Sequence, residues 1–381
     1  MSRLLYLGLF CLGVTCSAGA NNPDHLPDRS SVKMQVQKVI DWQINHFQYL
    51  DKGTPGQLHD YGINAWTNAV LFTGMAKWAK TVDHPDTCYR WLYETGEKSG
   101  WAIAENFSGY PSVGNYHADE LCMGQFYLRM YARYKEEKML HATKERLDWI
   151  IRHPHGMDIH TKSKKWWSWC DALFMAPPAL AHMAEITGDQ TYLHFMDEEF
   201  KRTYNYLYDR EDKLFFRDNS YFEKRERNGQ KIYWGRGNGW VAAGLVHILK
   251  YLPAGSPYRP FYENLFREFI PVLASLQHAS GFWHASLLDP ESYPAPEISA
   301  TALIAYSIAY GINSGLLDKE HYLSRLVRAW TALTNAIHEN GKIGWIQPIG
   351  ADPAKVTADM TAVYGVGAFL MAGSEIYQLT K

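Results

Sequence analysis

Six stretches of this chain repeat one pattern: a short opening with Gly, Asn, Asp or Glu, followed by an amphipathic segment rich in small residues. They are YGINAWTNAVLFTGMAKWA, YHADELCMGQFYLRMYARY, WCDALFMAPPALAHMAEIT, RGNGWVAAGLVHILKYL, PEISATALIAYSIAYGI and ADMTAVYGVGAFLMAGSEIY. With Asn64, Asp119, Asp171, Asn238, Ile298 and Met360 as landmarks, the spacings are 55, 52, 67, 60 and 62 residues. A repeat on that scale points to a helical array in which each unit is one helix pair. Between the openings lie more polar helical segments, among them MLHATKERLDWIIRH, TYLHFMDEEFKRTYNYLY and YLSRLVRAWTALTNAIHE. SVKMQVQKVIDWQINHF and TCYRWLYETGEK complete a set of about twelve helices.

Alternation of the two helix types has a packing meaning. Small residues allow close approach in an inner ring, and charged faces suit an outer ring in water. Six hairpins closed in a circle give an all-α fold, an α/α six-fold barrel, with every opening at one end. An open helical solenoid is the competing architecture. Closure is favoured because no polar capping repeat stands out at either end. The barrel is expected to be a single domain over residues 30–381.

The first residues read as an export signal: Arg3, the apolar run LLYLGLFCLGVT, then Ala18-Gly19-Ala20 as a small-x-small cleavage site. A signal peptide over residues 1–20 and a secreted or periplasmic product are expected. Lipid attachment at Cys16 is the weaker alternative, because Thr15 is larger than the usual preceding residue. No later apolar run reaches the roughly 18 residues of a membrane span. A net charge of −2 on 381 residues argues against a nucleic-acid partner. Cys88, Cys122 and Cys170 form neither a disulfide framework nor a zinc motif and read as small buried residues. No metal or cofactor is expected, and nothing in the pattern sets an oligomeric state.

The openings carry the chemistry. His117 and Asp119 lie on the second, and Trp169 and Asp171 on the third, just after Trp166 and Trp167. The fourth holds WGRGNGW, with Trp234, Arg236 and Trp240; the first holds Tyr61 and Asn64. Taken singly, either aspartate reads equally well as a helix cap, Arg236 as a packing arginine, and the histidines as satisfied loop residues. Fourteen tryptophans, however, are more than a core needs, and exposed indole faces suit sugar rings. Two carboxylates, a guanidinium and several indoles at one end suggest a site for an anionic sugar.

HADELCMG, WSWCDALFMAPPAL and WGRGNGW, in this order on such a barrel, resemble the unsaturated rhamnogalacturonyl hydrolases of glycoside hydrolase family 105 over nearly the whole mature chain. The unsaturated glucuronyl hydrolases rank second. The resemblance implies a substrate left by a polysaccharide lyase, with a C4=C5 double bond on a non-reducing-end uronic acid. It implies Asp171 as the acid that protonates the vinyl ether and then activates water, with Asp119 as its partner. It further implies Arg236 on the sugar carboxylate, and Trp234, Trp240 and Trp169 around the ring. Tyr61, His160 and His117 are further candidate contacts. Burial among Trp166, Trp167, Trp169 and Phe174, together with the charge of Asp119, would raise the pKa of Asp171. Arg217, in LFFRD, stands where a histidine is expected, and suggests a different leaving sugar or a second anionic contact. A non-catalytic glycan-binding protein and an epimerase on a similar barrel are the readings from other classes.

Overall fold

The computed structural model describes residues 25–47, 62–83, 85–104, 114–154 and 167–380. The signal segment, Cys16, Tyr61, His160 and Trp166 lie outside them.

Thirteen helices account for most of the described residues: α1 Arg29–Asn45, α2 Trp66–Thr81, α3 Asp86–Lys98, α4 Ala118–Tyr134, α5 Lys138–Arg152, α6 Ala172–Met175, α7 Pro177–Thr187, α8 Thr191–Leu207, α9 Gly235–Tyr251, α10 Arg259–Ser275, α11 Ile298–Asn313, α12 Lys319–Asn335 and α13 Val363–Leu379. The small-residue helices form the inner ring. Around it, α2 packs on α4, α4 on α7, α7 on α9, α9 on α11, α11 on α13, and α13 returns to α2. Each inner helix is backed by one outer helix, α3 on α2 and α1 on α13 among them. The array is therefore a closed barrel and not a solenoid.

Burial follows the sequence pattern. Every residue of α11 from Ile298 to Ile312 is buried, so this helix has no solvent face. On outer α12 only Tyr322, Leu326, Val327, Ala329, Trp330 and Leu333 are buried, a single apolar stripe. Closure of the ring depends on glycine. A Cβ on Gly74 would lie 2.3 Å from the carbonyl oxygen of Gly367, and one on Gly367 would lie 2.3 Å from that of Val70. At this seam the backbones of α2 and α13 touch without side chains between them.

The third inner element departs from a single continuous helix. Pro177 and Pro178 lack N–H donors, so the helix breaks at Ala176 into α6 and α7. The carbonyls freed by the break are taken by Gln125, whose Nε2 donates to Phe174 (2.7 Å) and Met175 (3.3 Å). The Gln125 Oε1 in turn pairs with His247 Nδ1 at 2.7 Å, tying α4, α6 and α9 together.

The two ends of the barrel differ. At the C-terminal ends of the inner helices, Glu375 meets both Lys77 and Lys250 at 2.5 Å, and Asn313 Nδ2 donates to it at 2.7 Å. Cations there also suit the negative ends of the helix dipoles. At the other end lie the long connections, including 208–234, 276–297 and 336–362. The first holds a small hairpin, β1 Tyr208–Asp209 antiparallel to β2 Leu214–Phe215. The candidate site sits at this end.

Candidate active site

Asp171 occupies the N-cap position of α6, yet its side chain makes no capping hydrogen bond. Capping therefore does not explain it. Its carboxyl is 10% exposed and faces Arg217, with Oδ2 3.6 Å from the Arg217 Nε. Burial raises its pKa and is the largest influence; Arg217 opposes this, Asp119 adds to it, and Arg236 opposes it. The net direction is upward, as a proton donor near neutrality requires. The adjacent Cys170 thiol is buried and pushed well up, away from nucleophilic thiolate character. Cys88 and Cys122 are likewise buried free thiols.

Asp119 is the second residue of α4, whose N-cap is His117, with no side-chain capping hydrogen bond to the helix. Its carboxylate is 20% exposed, and His117 Nδ1 lies 4.0 Å from Oδ2. The His117 ring rests against Trp169, centroids 5.0 Å apart. His117 thus joins the second opening to the third, and Asp119 lies close enough to Asp171 for its charge to act on it.

WGRGNGW is helical rather than a loop before a helix: Trp234 is the N-cap, and α9 begins at Gly235. The glycines make room for neighbours. A Cβ on Gly235 would lie 2.4 Å from the carbonyl oxygen of His284, and one on Gly237 3.0 Å from Cys170 Sγ. This second contact presses α9 against the Asp171 segment.

Arg236 differs from the sequence expectation. It is 1% exposed and sits between the rings of Trp234 and Tyr364. Its Nη1 donates to the Gln347 carbonyl and its Nη2 to that of Pro348 at 2.8 Å. Both terminal nitrogens are thus spent on backbone, and the side chain braces the 347–348 turn. Trp240 is also corrected. At 1% exposure it is packed among Phe174, Trp66 and Tyr364, and offers no open face for a ring. Trp234 is buried and donates from Nε1 to Gln347 Oε1 at 3.1 Å. Trp169 is buried beside His117, and Trp167 is core.

Three residues support the site; Asn238 marks the fourth opening in the sequence, while Glu297 and Gln347 carry no clear sequence signal. Asn238 clamps the strand before Arg217, accepting from Phe215 N at 2.8 Å and donating to Phe215 O at 3.0 Å. Glu297 caps α11 by accepting from Ser299 N and Ala300 N, and it also accepts from Gln347 N at 3.0 Å. Gln347 in turn meets Trp234, Arg236, Glu297 and Tyr364. Among the described residues, no cluster of His, Cys, Asp and Glu could hold a metal ion, and no helix is long and apolar enough to cross a membrane.

With this geometry in place, comparison with known proteins is decisive. The model of Glycosyl Hydrolase Family 88 matches residues 35–380. The chain belongs to that family. It is 35% identical over 368 residues to the unsaturated 3S-rhamnoglycuronyl hydrolase of Formosa agariphila, covering 93% of this chain and 92% of the relative. A protein of the same name from an Alteromonas species is 33% identical, covering 91% of this chain and 86% of the relative. Among solved structures, a family 88 glycosyl hydrolase from Bacteroides vulgatus superimposes with a TM-score of 0.79 at 29% identity, covering 92% of this chain and 99% of that one. The likeness of the motifs to unsaturated glycuronyl hydrolases is borne out by this family and by the two relatives. This family 88 member is a glycosidase.

Proposed function

We propose that this glycosidase removes a 4,5-unsaturated uronic acid from the non-reducing end of lyase-generated oligosaccharides, with rhamnose as the leaving sugar. The rhamnose rests on the names of the two curated relatives. Vinyl-ether hydration rests on one observation: Asp171 is a buried, uncapped carboxyl whose pKa is raised by burial and by Asp119.

In the proposed reaction the Asp171 carboxyl gives its proton to C4, and positive charge develops at C5 and the ring oxygen. Water adds to C5 and passes a proton back to the Asp171 carboxylate. The resulting hemiketal opens at the bond between C5 and the ring oxygen, leaving a ketone at C5 and a hemiacetal at C1. Collapse of the hemiacetal releases the neighbouring sugar as an alcohol and leaves an aldehyde. No displacement occurs at the anomeric carbon, so the usual link between carboxylate spacing and stereochemistry does not apply. Asp119, whose charge reaches Asp171, suits the ring hydroxyls. Export through a cleaved signal at residues 1–20 is part of the same proposal, since polymer-derived oligosaccharides arise outside the cytoplasm.

A panel of lyase-generated disaccharides tests the reading through loss of the ultraviolet absorbance of the conjugated double bond. Consumption of an unsaturated uronyl-rhamnose is expected. Binding of such a disaccharide without consumption would instead mark a glycan-binding protein.

A further inference from the structure

Arg217 is placed by backbone. Its carbonyl accepts from Cys170 N at 2.8 Å, and Asp218 forms an isolated β-bridge with Trp169. The residue is therefore in fixed register with the segment that carries Asp171. Its neighbour Asp218 is held as the cap of the 219–221 turn, accepting from Ser220 N at 2.9 Å. Arg217 Nη1 is tethered to this Asp218 carboxylate.

The rest of the guanidinium is underused. An arginine has five N–H donors, and among the described residues Arg217 makes one hydrogen bond, to Asp218. Its Nε is buried without an acceptor. The Asp171 Oδ2, at 3.6 Å, is too distant for a hydrogen bond. Arg236 also has a buried Nε without an acceptor, but its two terminal nitrogens are spent on carbonyls and it is 1% exposed, whereas the Arg217 side chain keeps 12% exposure and a free terminal nitrogen.

We propose that Arg217 is the specificity-determining cation of this site: its guanidinium receives an oxyanion of the substrate, while Arg236 braces the wall behind it. The inference rests on the reading that the site takes an unsaturated acidic sugar. The oxyanion is either the carboxylate of the unsaturated ring or a sulfate on the leaving sugar. Either would accept charge-assisted hydrogen bonds from N–H donors that Asp218 and Asp171 leave unused. It would also offset the pull of Arg217 on Asp171. The charged or titratable groups bearing on Asp171 are Arg217, Asp119, Arg236 and the Cys170 thiol, with Asp218 acting through Arg217.

The test crosses enzyme variants with substrate charge. kcat/KM is measured for wild type, Arg217→Gln, Arg217→Lys and Arg236→Gln on an unsaturated uronyl-rhamnose, its uronate methyl ester, and its rhamnose-sulfated form. Intrinsic reactivity differences cancel when the same substrates are compared across variants. The wild type should prefer one charged substrate over its uncharged counterpart by roughly 10- to 100-fold, and Arg217→Gln should collapse that preference. Loss of the acid-over-ester preference identifies the carboxylate; loss of the sulfate preference identifies the sulfate. Arg217→Lys keeps the charge without the fork and should retain part of the preference, which also serves if Arg217→Gln folds poorly. A uniform loss on all substrates with the preference intact overturns the proposal. So does a preference that collapses in Arg236→Gln but survives in Arg217→Gln. If wild type consumes no unsaturated disaccharide at all, the proposed function itself fails.

Discussion

Nε of Arg217 and Oδ2 of Asp171 stand 3.6 Å apart, within ion-pair range but beyond a hydrogen bond. The arginine thus acts on the Asp171 carboxyl through its field without a hydrogen bond to it. Burial and Asp119 act in the other direction, and the pKa of Asp171 ends above its ordinary value.

Asp171→Asn should lower turnover by about 10² to 10⁴, since a positioned acid–base group contributes on that scale. The same variant should be more stable than wild type at neutral pH. A carboxyl with a raised folded pKa contributes its stability below the unfolded pKa and loses it as pH rises through the folded value. The amide does not ionise, so its advantage should be present at neutral pH and fade in acid. Calorimetric unfolding across pH checks both ends.

Asp119→Asn removes a negative charge that raises Asp171. The pKa of Asp171 should fall, so the protonated acid is lost at lower pH. The alkaline limb of the kcat profile should move toward acid, with each pKa unit costing about tenfold at neutral pH. A limb that stays in place would separate the two carboxylates electrostatically.

Glu375→Gln should cost about 3–5 kcal/mol, because Lys77 and Lys250 would be left without their buried partner. Burial alone would raise the carboxyl, but the two lysines outweigh it and hold it down at about 2. Its stabilisation is present above the unfolded carboxylate range and is lost as pH falls toward about 2. Urea unfolding measures the loss, while kcat of the folded variant should be unchanged, since the cluster lies at the far end of the barrel.

Gly367→Ala should destabilise by about 1–3 kcal/mol or more, since the new methyl meets the Val70 carbonyl 2.3 Å away and backbone must shift. A lowered thermal midpoint is the readout, and Ala at Gly255, which has nothing within 4 Å, is the control.

Asn238→Ala strands the N–H and C=O of buried Phe215, at about 1–3 kcal/mol for a buried polar group left unpaired. It also frees the segment that leads to Arg217, so KM should rise together with the stability loss. Steady-state kinetics beside chemical unfolding will show whether the two move together.

The ring was legible because packing writes itself into composition: six small-residue helices at a steady interval have few ways to bury one another. The positions of Asp119 and Asp171 were legible for the same reason, since both stand where inner helices begin. WGRGNGW misled because glycine usually marks a loop, whereas here it marks close approach inside a helix. The direction of Arg236 was hidden because its acceptors, the carbonyls of Gln347 and Pro348, lie more than a hundred positions further on. The break at Ala176 was written in the Pro177-Pro178 pair, a stronger signal than the apolar period running through it. Arg217 was visible only as an odd residue in LFFRD; its placement comes from a backbone pairing with Cys170 that no local pattern encodes.

The seam between α2 and α13 joins residues as far apart as Lys77 and Glu375, 298 positions along the chain. While the polypeptide is being made, the first inner helix has no companion on one flank until nearly everything else has emerged. That bare apolar flank is a natural target for chaperones until the last helix arrives to cover it.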